Sequence, residues 1–346
     1  MRPALSRLKP NLLRACGSTM FPSRVCAPLR AAPETEDIFE SALSNLFTDD
    51  TQNSHGTPGQ SVVYDSPGFG KIPLRIPSHP DVEEGRKLFA HYLWNAGVIA
   101  ADAIECASSQ DATTHSPVDW DSRYWDVRGK RLLELGAGTA LPSLISALSG
   151  AANVTITDHP SSPALTMGAI EQNVRENVLE RTGSDHTSSK SVVNVFGYTW
   201  GTTKMYLPNH YGKLAPEQPE TFDRIIIADC LWMPSQHVNL VKTILHYLDS
   251  SQENACAFVL AGFHTGRAIV RGFFQIATGE WTQEDQAGDE DEDEDEELRA
   301  VQGRLKAASI FEIDANGVCR PWLPIRSGED KQQAKRWTVC AVLVKR

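Results

Sequence analysis

From Lys130 to the C-terminus, short apolar runs alternate with stretches whose apolar residues recur at helical spacing, the pattern of parallel strands joined by crossover helices. Residues 131–136 (RLLELG) read as the first strand. Leu141, Leu144, Ile145 and Leu148 then fall at i, i+3, i+4 and i+7 on one helix face, with Pro142 tolerated in the first turn and Gly150 placed to end the helix. Residues 153–158 (NVTITD) predict a second strand, 165–178 a second helix and 191–196 a third strand, followed by the loop Gly-Tyr-Thr-Trp-Gly. Residues 222–229 (FDRIIIAD) form the most apolar strand, and Val238, Val241, Leu245 and Leu248 mark the helix after it. Another strand is expected over 255–263 and a helix over 268–277. The runs 309–314 and 338–344 lack room for a crossover helix between them, so they are expected as an antiparallel pair at the sheet edge. The expected fold is α/β, with a twisted, mainly parallel sheet of seven strands.

Upstream the pattern changes. Residues 34–47 place Ile38, Leu43 and Phe47 as in a short amphipathic helix, and a polar linker runs to Gln60. Residues 61–76 alternate around Ser-Pro-Gly-Phe-Gly and predict a β-hairpin, and 88–104 read as an apolar helix. The first 31 residues hold Arg2, Arg7, Lys9, Arg14, Arg24 and Arg30 and no acid, a composition like that of a transit peptide. The expected organisation is a disordered or targeting leader over 1–33, an arm and hairpin over 34–80, and one catalytic domain over 81–346 with a disordered acidic insertion at 282–299. A cytoplasmic location is expected, or a mitochondrial one if the leader is a true transit peptide.

Composition narrows the function classes. With 41% hydrophobic residues and no apolar run near the roughly 18 that a membrane span needs, no membrane partner is expected. The formal charge is -11, but nine of the negative charges lie in the block 289–297, so the remaining chain is nearly neutral. That balance supplies no general basic field for nucleic acid. The seven cysteines are scattered without a C-x-x-C pair, which points to neither a disulfide framework nor a metal site.

The chemistry concentrates where the first strand turns into its helix. Gly136-Ala137-Gly138 follows the strand, and Asp158 ends the next one, positioned to accept the hydroxyls of a ribose. A dinucleotide pocket wants G-x-G-x-x-G and a bare helix N-terminus for its pyrophosphate. Here Leu141 replaces the third glycine, and Glu134 sets a carboxylate two residues before the turn. A carboxylate repels a pyrophosphate but attracts the ammonium and sulfonium of S-adenosylmethionine, which is therefore preferred over NAD. His159 has no third ligand at a suitable spacing, so no metal is expected.

The run LLELGAGTALPSLISALSGAANVTITDHP (132–160) resembles the eukaryotic seven-strand, class I methyltransferases that modify lysines and N-termini of translation factors and chaperones. The likeness is to the branch labelled nicotinamide N-methyltransferase-like or elongation factor 1-alpha methyltransferase, and it extends from HYLWNAG (91–97) through GYTWG and ADCLW to the C-terminal strand. The resemblance implies that Trp94 lies in a helix that lids the cofactor. It further implies that Gly136, Ala137 and Gly138 wrap the methionine portion, Asp158 holds the ribose, Trp200 lies against adenine, and Ala228 presents backbone. Read without it, Trp94 is more simply a core residue and Trp200 a loop anchor, though Trp200 follows a strand's C-terminal end, where open α/β sheets bind ligands.

Asp229-Cys230-Leu231-Trp232 stands where relatives carry an acid or amide, two residues and a Tyr. Asp229 is expected to position an amine and Trp232 to wall the target with its ring face. The simpler reading is that Asp229 caps the next helix and Trp232 fills the core. His264 reaches the same rim and reads more readily as a loop residue than as a base. The expected activity is transfer of methyl from S-adenosylmethionine to a protein lysine or N-terminus by a monomer, with a translation elongation factor among the implied substrates. Nicotinamide methylation is the alternative within the class, and a non-catalytic binding scaffold the alternative outside it.

Overall fold

A computed structural model describes residues 21–26, 53–78, 92–109, 116, 118–181, 191–208, 213–215, 221–280 and 292–346. The expected helix over 34–47 and most of the expected leader lie outside these residues.

An N-terminal hairpin, β1 (Ser61–Ser66) and β2 (Gly70–Arg75), alternates buried and exposed positions as its period-two pattern requires. Helix α1 (Asn95–Ser108) follows. The main sheet is built from β3 (Arg131–Leu135), β4 (Asn153–Asp158), β5 (Val192–Tyr198), β6 (Arg224–Ala228), β7 (Cys256–Gly262), β8 (Leu305–Asp314) and β9 (Trp337–Lys345). Between them run α2 (Leu141–Leu148), α3 (Ala169–Val174), α4 (His237–Tyr247), α5 (Arg267–Thr278) and α6 (Glu292–Val301).

The strands lie in the order β8-β9-β7-β6-β3-β4-β5, parallel from β5 across to β7, with β9 inserted antiparallel between β7 and β8. This is the expected seven-stranded sheet with its antiparallel pair. Two short antiparallel strands, Cys319–Pro321 and Met205–Tyr206, extend its two edges. Both faces of the sheet are covered, so β6 is apolar at every central position: Ile226 packs with α1 and α2 on one side, Ile225 and Ile227 with α4 and α5 on the other. Burying each of these side chains contributes about 1.5–3 kcal/mol.

Three expectations need correction. The helix expected over 88–104 begins at Asn95, because Leu93–Trp94 is extended and pairs with Ser54–His55, where His55 Nε2 and buried Asn95 Oδ1 meet at 2.7 Å. Trp94 therefore stands before the helix rather than within it. Of the disordered insertion expected over 282–299, residues 282–291 lie outside the described residues, and the chain is helical from Glu292, where Lys242 pairs with Glu297 at 2.7 Å and Val301 is buried.

The leader expected over 1–33 is, from Phe21 to Cys26, part of the folded body. Phe21 is buried and its amide donates to Ala315 O at 3.0 Å, while Val25–Cys26 pairs with β1. Arg24, itself buried, forms an ion pair with Asp102 of α1 and donates to Tyr64 Oη at 3.4 Å. Asp102 also accepts from Ser116 Oγ at 2.5 Å and Trp120 Nε1 at 3.3 Å. One helical turn on, Glu105 accepts from Ser66 Oγ at 2.8 Å and Gly68 N at 2.5 Å, tying the hairpin to the same helix. Removing the guanidinium leaves a buried carboxylate without its counter-charge. Arg24→Ala is expected to cost about 3–5 kcal/mol of unfolding free energy in urea titration, and Arg24→Lys less.

Candidate cofactor crevice and acceptor site

The chain leaves β3 to build β4 and β5 on one side and returns through β6 on the other. Strand order therefore reverses between β3 and β6, which opens a crevice at their C-terminal ends. Its cavity is about 250 Å³, and Trp94, Glu134, Gly136, Ala137, Gly138, Asp158, Trp200, Ala228, Asp229 and Trp232 all line it. The structure thus brings every site residue expected from the sequence to one place.

The floor is the turn after β3. Thr157 Oγ1 donates to Glu134 O at 2.6 Å and Ala137 N to Thr157 O at 3.0 Å, so the turn is held against the end of β4. Gly136 has φ +62°, and a Cβ there would lie 2.8 Å from Cys230 Sγ and 3.2 Å from Trp200 Cζ2. Gly138 has φ +55° and would meet nothing within 4 Å, which leaves its backbone open to a ligand.

Two carboxylates are buried here. Asp158 accepts from Gly138 N at 2.8 Å and from its neighbour His159 N at 2.7 Å. Burial pushes its carboxyl up, against the lowering effect of those amides. Glu134 Oε2 accepts from Ser143 N at 3.2 Å in the first turn of α2, whose preceding residue Ala140 offers no side-chain cap. Glu134 thus does the work of a cap from the adjoining strand, at the positive end of the helix dipole. Its carboxyl is pushed up to about 8, chiefly by desolvation, with Asp158 adding repulsion.

Trp200 follows β5 in a loop fixed by Gly201 N donating to Thr243 Oγ1 at 2.8 Å and by Tyr198 Oη donating to Thr202 O at 2.6 Å. The opposite wall comes from the ends of β6 and β7. Asp229 has φ +62°, and its Oδ1 accepts from Gly262 N at 3.1 Å. It does not cap the next helix: the turn Pro234–Gln236 intervenes, and no side chain caps it. Burial raises the Asp229 carboxyl, while His264 and Gly262 N act to lower it. Trp232 is part-exposed on the crevice wall, so it does not fill the core.

Tyr92, Thr199, Met233 and His264 also line the crevice. Thr199 and Met233 adjoin Trp200 and Trp232 in sequence, a signal that proximity alone could have supplied. Tyr92 carried none. His159 lines the crevice and accepts from Ser161 N at 3.2 Å, and no group of metal-binding side chains occurs among the described residues.

The lysine methyltransferase family profile matches residues 81–279. The chain belongs to this family. Among its relatives, the protein N-terminal and lysine N-methyltransferase EFM7 of Gibberella zeae is 30% identical over 58% of this chain and 68% of that one. The protein of the same name in Emericella nidulans is 33% identical over 54% of this chain and 60% of its own, and that of Schizosaccharomyces pombe 30% over 57% and 66%. The chain thus spans about two thirds of the length of these relatives, or slightly less.

The methyltransferase takes its methyl group from S-adenosylmethionine, and the residues present fit that molecule. Glu134 and Asp158 offer buried carboxyl groups whose ionised forms attract a cation. The open side of Gly138 and the facing ring of Trp200 leave room for a flat base and a close backbone approach. A dinucleotide is disfavoured by the same observations, since Glu134 already occupies the α2 amide that a pyrophosphate would need.

Two tests follow from this geometry. Gly136→Ala forces a Cβ against Cys230 and Trp200 and is expected to cost about 1–3 kcal/mol of stability as well as cofactor affinity. Gly138→Ala has space for its Cβ and is expected to lose affinity with a smaller loss of stability; calorimetry and thermal melts separate the two. The second test is pH. A cation binds the ionised form of Glu134, so below about 8 a proton must leave first. Affinity for S-adenosylmethionine is expected to rise by up to about tenfold per pH unit until that value and then flatten. Calorimetry at pH 7 in buffers of different ionisation enthalpy should show proton release. Glu134→Gln should bind weakly and release none.

Proposed function

We propose that this methyltransferase methylates a protein nitrogen, the side-chain amine of a lysine or a free N-terminal amine. The observation that carries the reading is the far wall of the crevice. There the Asp229 carboxylate, its side chain 6% exposed, and the part-exposed ring of Trp232 line the same crevice as the carboxylates that fit the cofactor. An acid beside an aromatic face suits an amine that arrives as an ammonium ion. The relatives bear the name protein N-terminal and lysine N-methyltransferase. A translation elongation factor is the first substrate to try, and the enzyme is taken to act as a cytoplasmic monomer.

When bound, S-adenosylmethionine supplies a methyl group made electrophilic by its sulfonium. The residues of the chain have little covalent work to do, and their task is alignment. Asp229 draws in the ammonium and Trp232 walls it. Held there, the nitrogen would lose one proton to solvent and its lone pair would take the methyl group, the electrons of the C–S bond remaining on sulfur. Trp232 has no hydroxyl, so no proton transfer runs through it.

The enzyme should be incubated with methyl-labelled cofactor, a cell lysate and nicotinamide together. Label is expected in protein, on lysine or an N-terminus after proteolysis and mass spectrometry. Asp229→Asn is expected to lower the rate by about tenfold to a hundredfold while cofactor affinity holds. Label confined to the small-molecule fraction would remove the protein-substrate reading.

A further inference from the structure

His264 follows β7 in a short turn, Phe263–Thr265, and lines the crevice beside Asp229. Three features fix its ring. It stacks on Trp94 with centroids 4.8 Å apart and planes 22° from parallel. Its Nε2 stands 3.8 Å from Asp229 Oδ1. Its Nδ1 is buried without a hydrogen-bond partner, against the backbone of Gly262, where a Cβ would come within 2.9 Å of it. A loop histidine with no task would turn that nitrogen to water, since leaving it buried and unpaired costs about 1–3 kcal/mol.

The unpaired nitrogen also dictates where the ring proton sits. A buried N–H without an acceptor is rarer than a buried bare lone pair, so Nδ1 is left bare and the proton lies on Nε2, the side that faces Asp229. Asp229 Oδ1 then has Gly262 N on one side and the imidazole N–H on another. Oδ2 has no hydrogen bond among the described residues.

We propose that His264 is a positioning residue for methyl transfer, clamped between Trp94 and Asp229 so that it holds the Asp229 carboxylate ionised and its second oxygen free for the acceptor ammonium. The proposal rests on the reading that an amine is the acceptor. It gives the Trp94 ring a role at the acceptor wall, as the plate that sets the imidazole's plane, and it explains why position 262 carries a glycine. The other titratable groups on the crevice are Glu134, Asp158, His159, Cys230, Tyr92 and Tyr198. Glu134, Asp158 and His159 come from β3 and the end of β4, so their titration should show in cofactor binding. Titration of Asp229 should show in turnover at saturating cofactor.

The test compares His264→Phe, His264→Ala and His264→Gln in the full chain. Phenylalanine keeps the stack on Trp94 but has no N–H. Glutamine can present an amide N–H near the position of Nε2. With peptide substrate and saturating cofactor, His264→Phe and His264→Ala are expected to lose kcat by about tenfold to a hundredfold, with cofactor affinity unchanged. Glutamine should recover a measurable part of that loss. In His264→Phe the acidic limb of kcat should move to higher pH, because Asp229 loses the neighbour that favours its ionised form. A His264→Phe variant with wild-type kcat and pH profile would overturn the proposal alone. A wild-type enzyme that binds cofactor yet methylates no amine would overturn the functional reading and this proposal with it.

Discussion

Glu134 and Asp158 are carboxylates taken out of water with backbone amides and serine hydroxyls, but no cationic side chain, as their hydrogen-bond partners, and the crevice is organised around that cost. An isolated ionised carboxylate is expensive in a low-dielectric interior, so burial raises both carboxyls above their ordinary range. The strand-to-helix turn between them supplies amides, the α2 dipole adds a favourable field, and a bound cation would complete the compensation. The same arrangement separates ligand classes. Where a dinucleotide fold leaves the helix N-terminus open to phosphate, this one has closed it with an acid and made the site attractive to positive charge.

The second set of carboxylates serves stability rather than chemistry. Asp102 and Glu105 lie one helical turn apart on α1, and between them they gather Arg24, the hairpin tip, Ser116 and Trp120. Because Trp94 stands immediately before α1, these contacts also set one wall of the crevice. Sequence far from the catalytic motifs, including Phe21 and Arg24, is thereby coupled through rigid packing to the place where an acceptor would enter. The buried apolar residues of α1, among them Val98, Ile99, Ala103 and Ile104, join the core on one face of the main sheet. The hairpin is braced on its other side by Asn173, which accepts from Arg75 N at 2.7 Å, and by Asn177, which donates to Pro73 O at 2.7 Å.

What could be read before the structure depended on the range of the interaction involved. The strands from Arg131 to Phe263 were legible because strands buried on both faces are apolar throughout, and the helices between them repeat at a different period. Helix α1 was placed several residues too early because Leu93 and Trp94 suit a helix as well as a strand. Only their pairing with Ser54 and His55, some forty residues away, draws them into extended backbone. Arg24 lay in a stretch whose composition resembles a leader, and nothing local announces that its guanidinium meets Asp102.

The sequence by itself determined the order of strands and helices, the turn at Gly136-Ala137-Gly138 and the acid at the end of β4. Each rests on local backbone preference or on periodicity within a few residues. Only the tertiary structure decided that Asp229 faces Gly262 and His264 rather than capping its own helix, that Trp232 stands on a crevice wall, and that Trp94 backs an imidazole more than 150 residues away. Those contacts join the ends of separate strands, and where strand ends meet is fixed by sheet order and burial, which no local stretch of chain encodes.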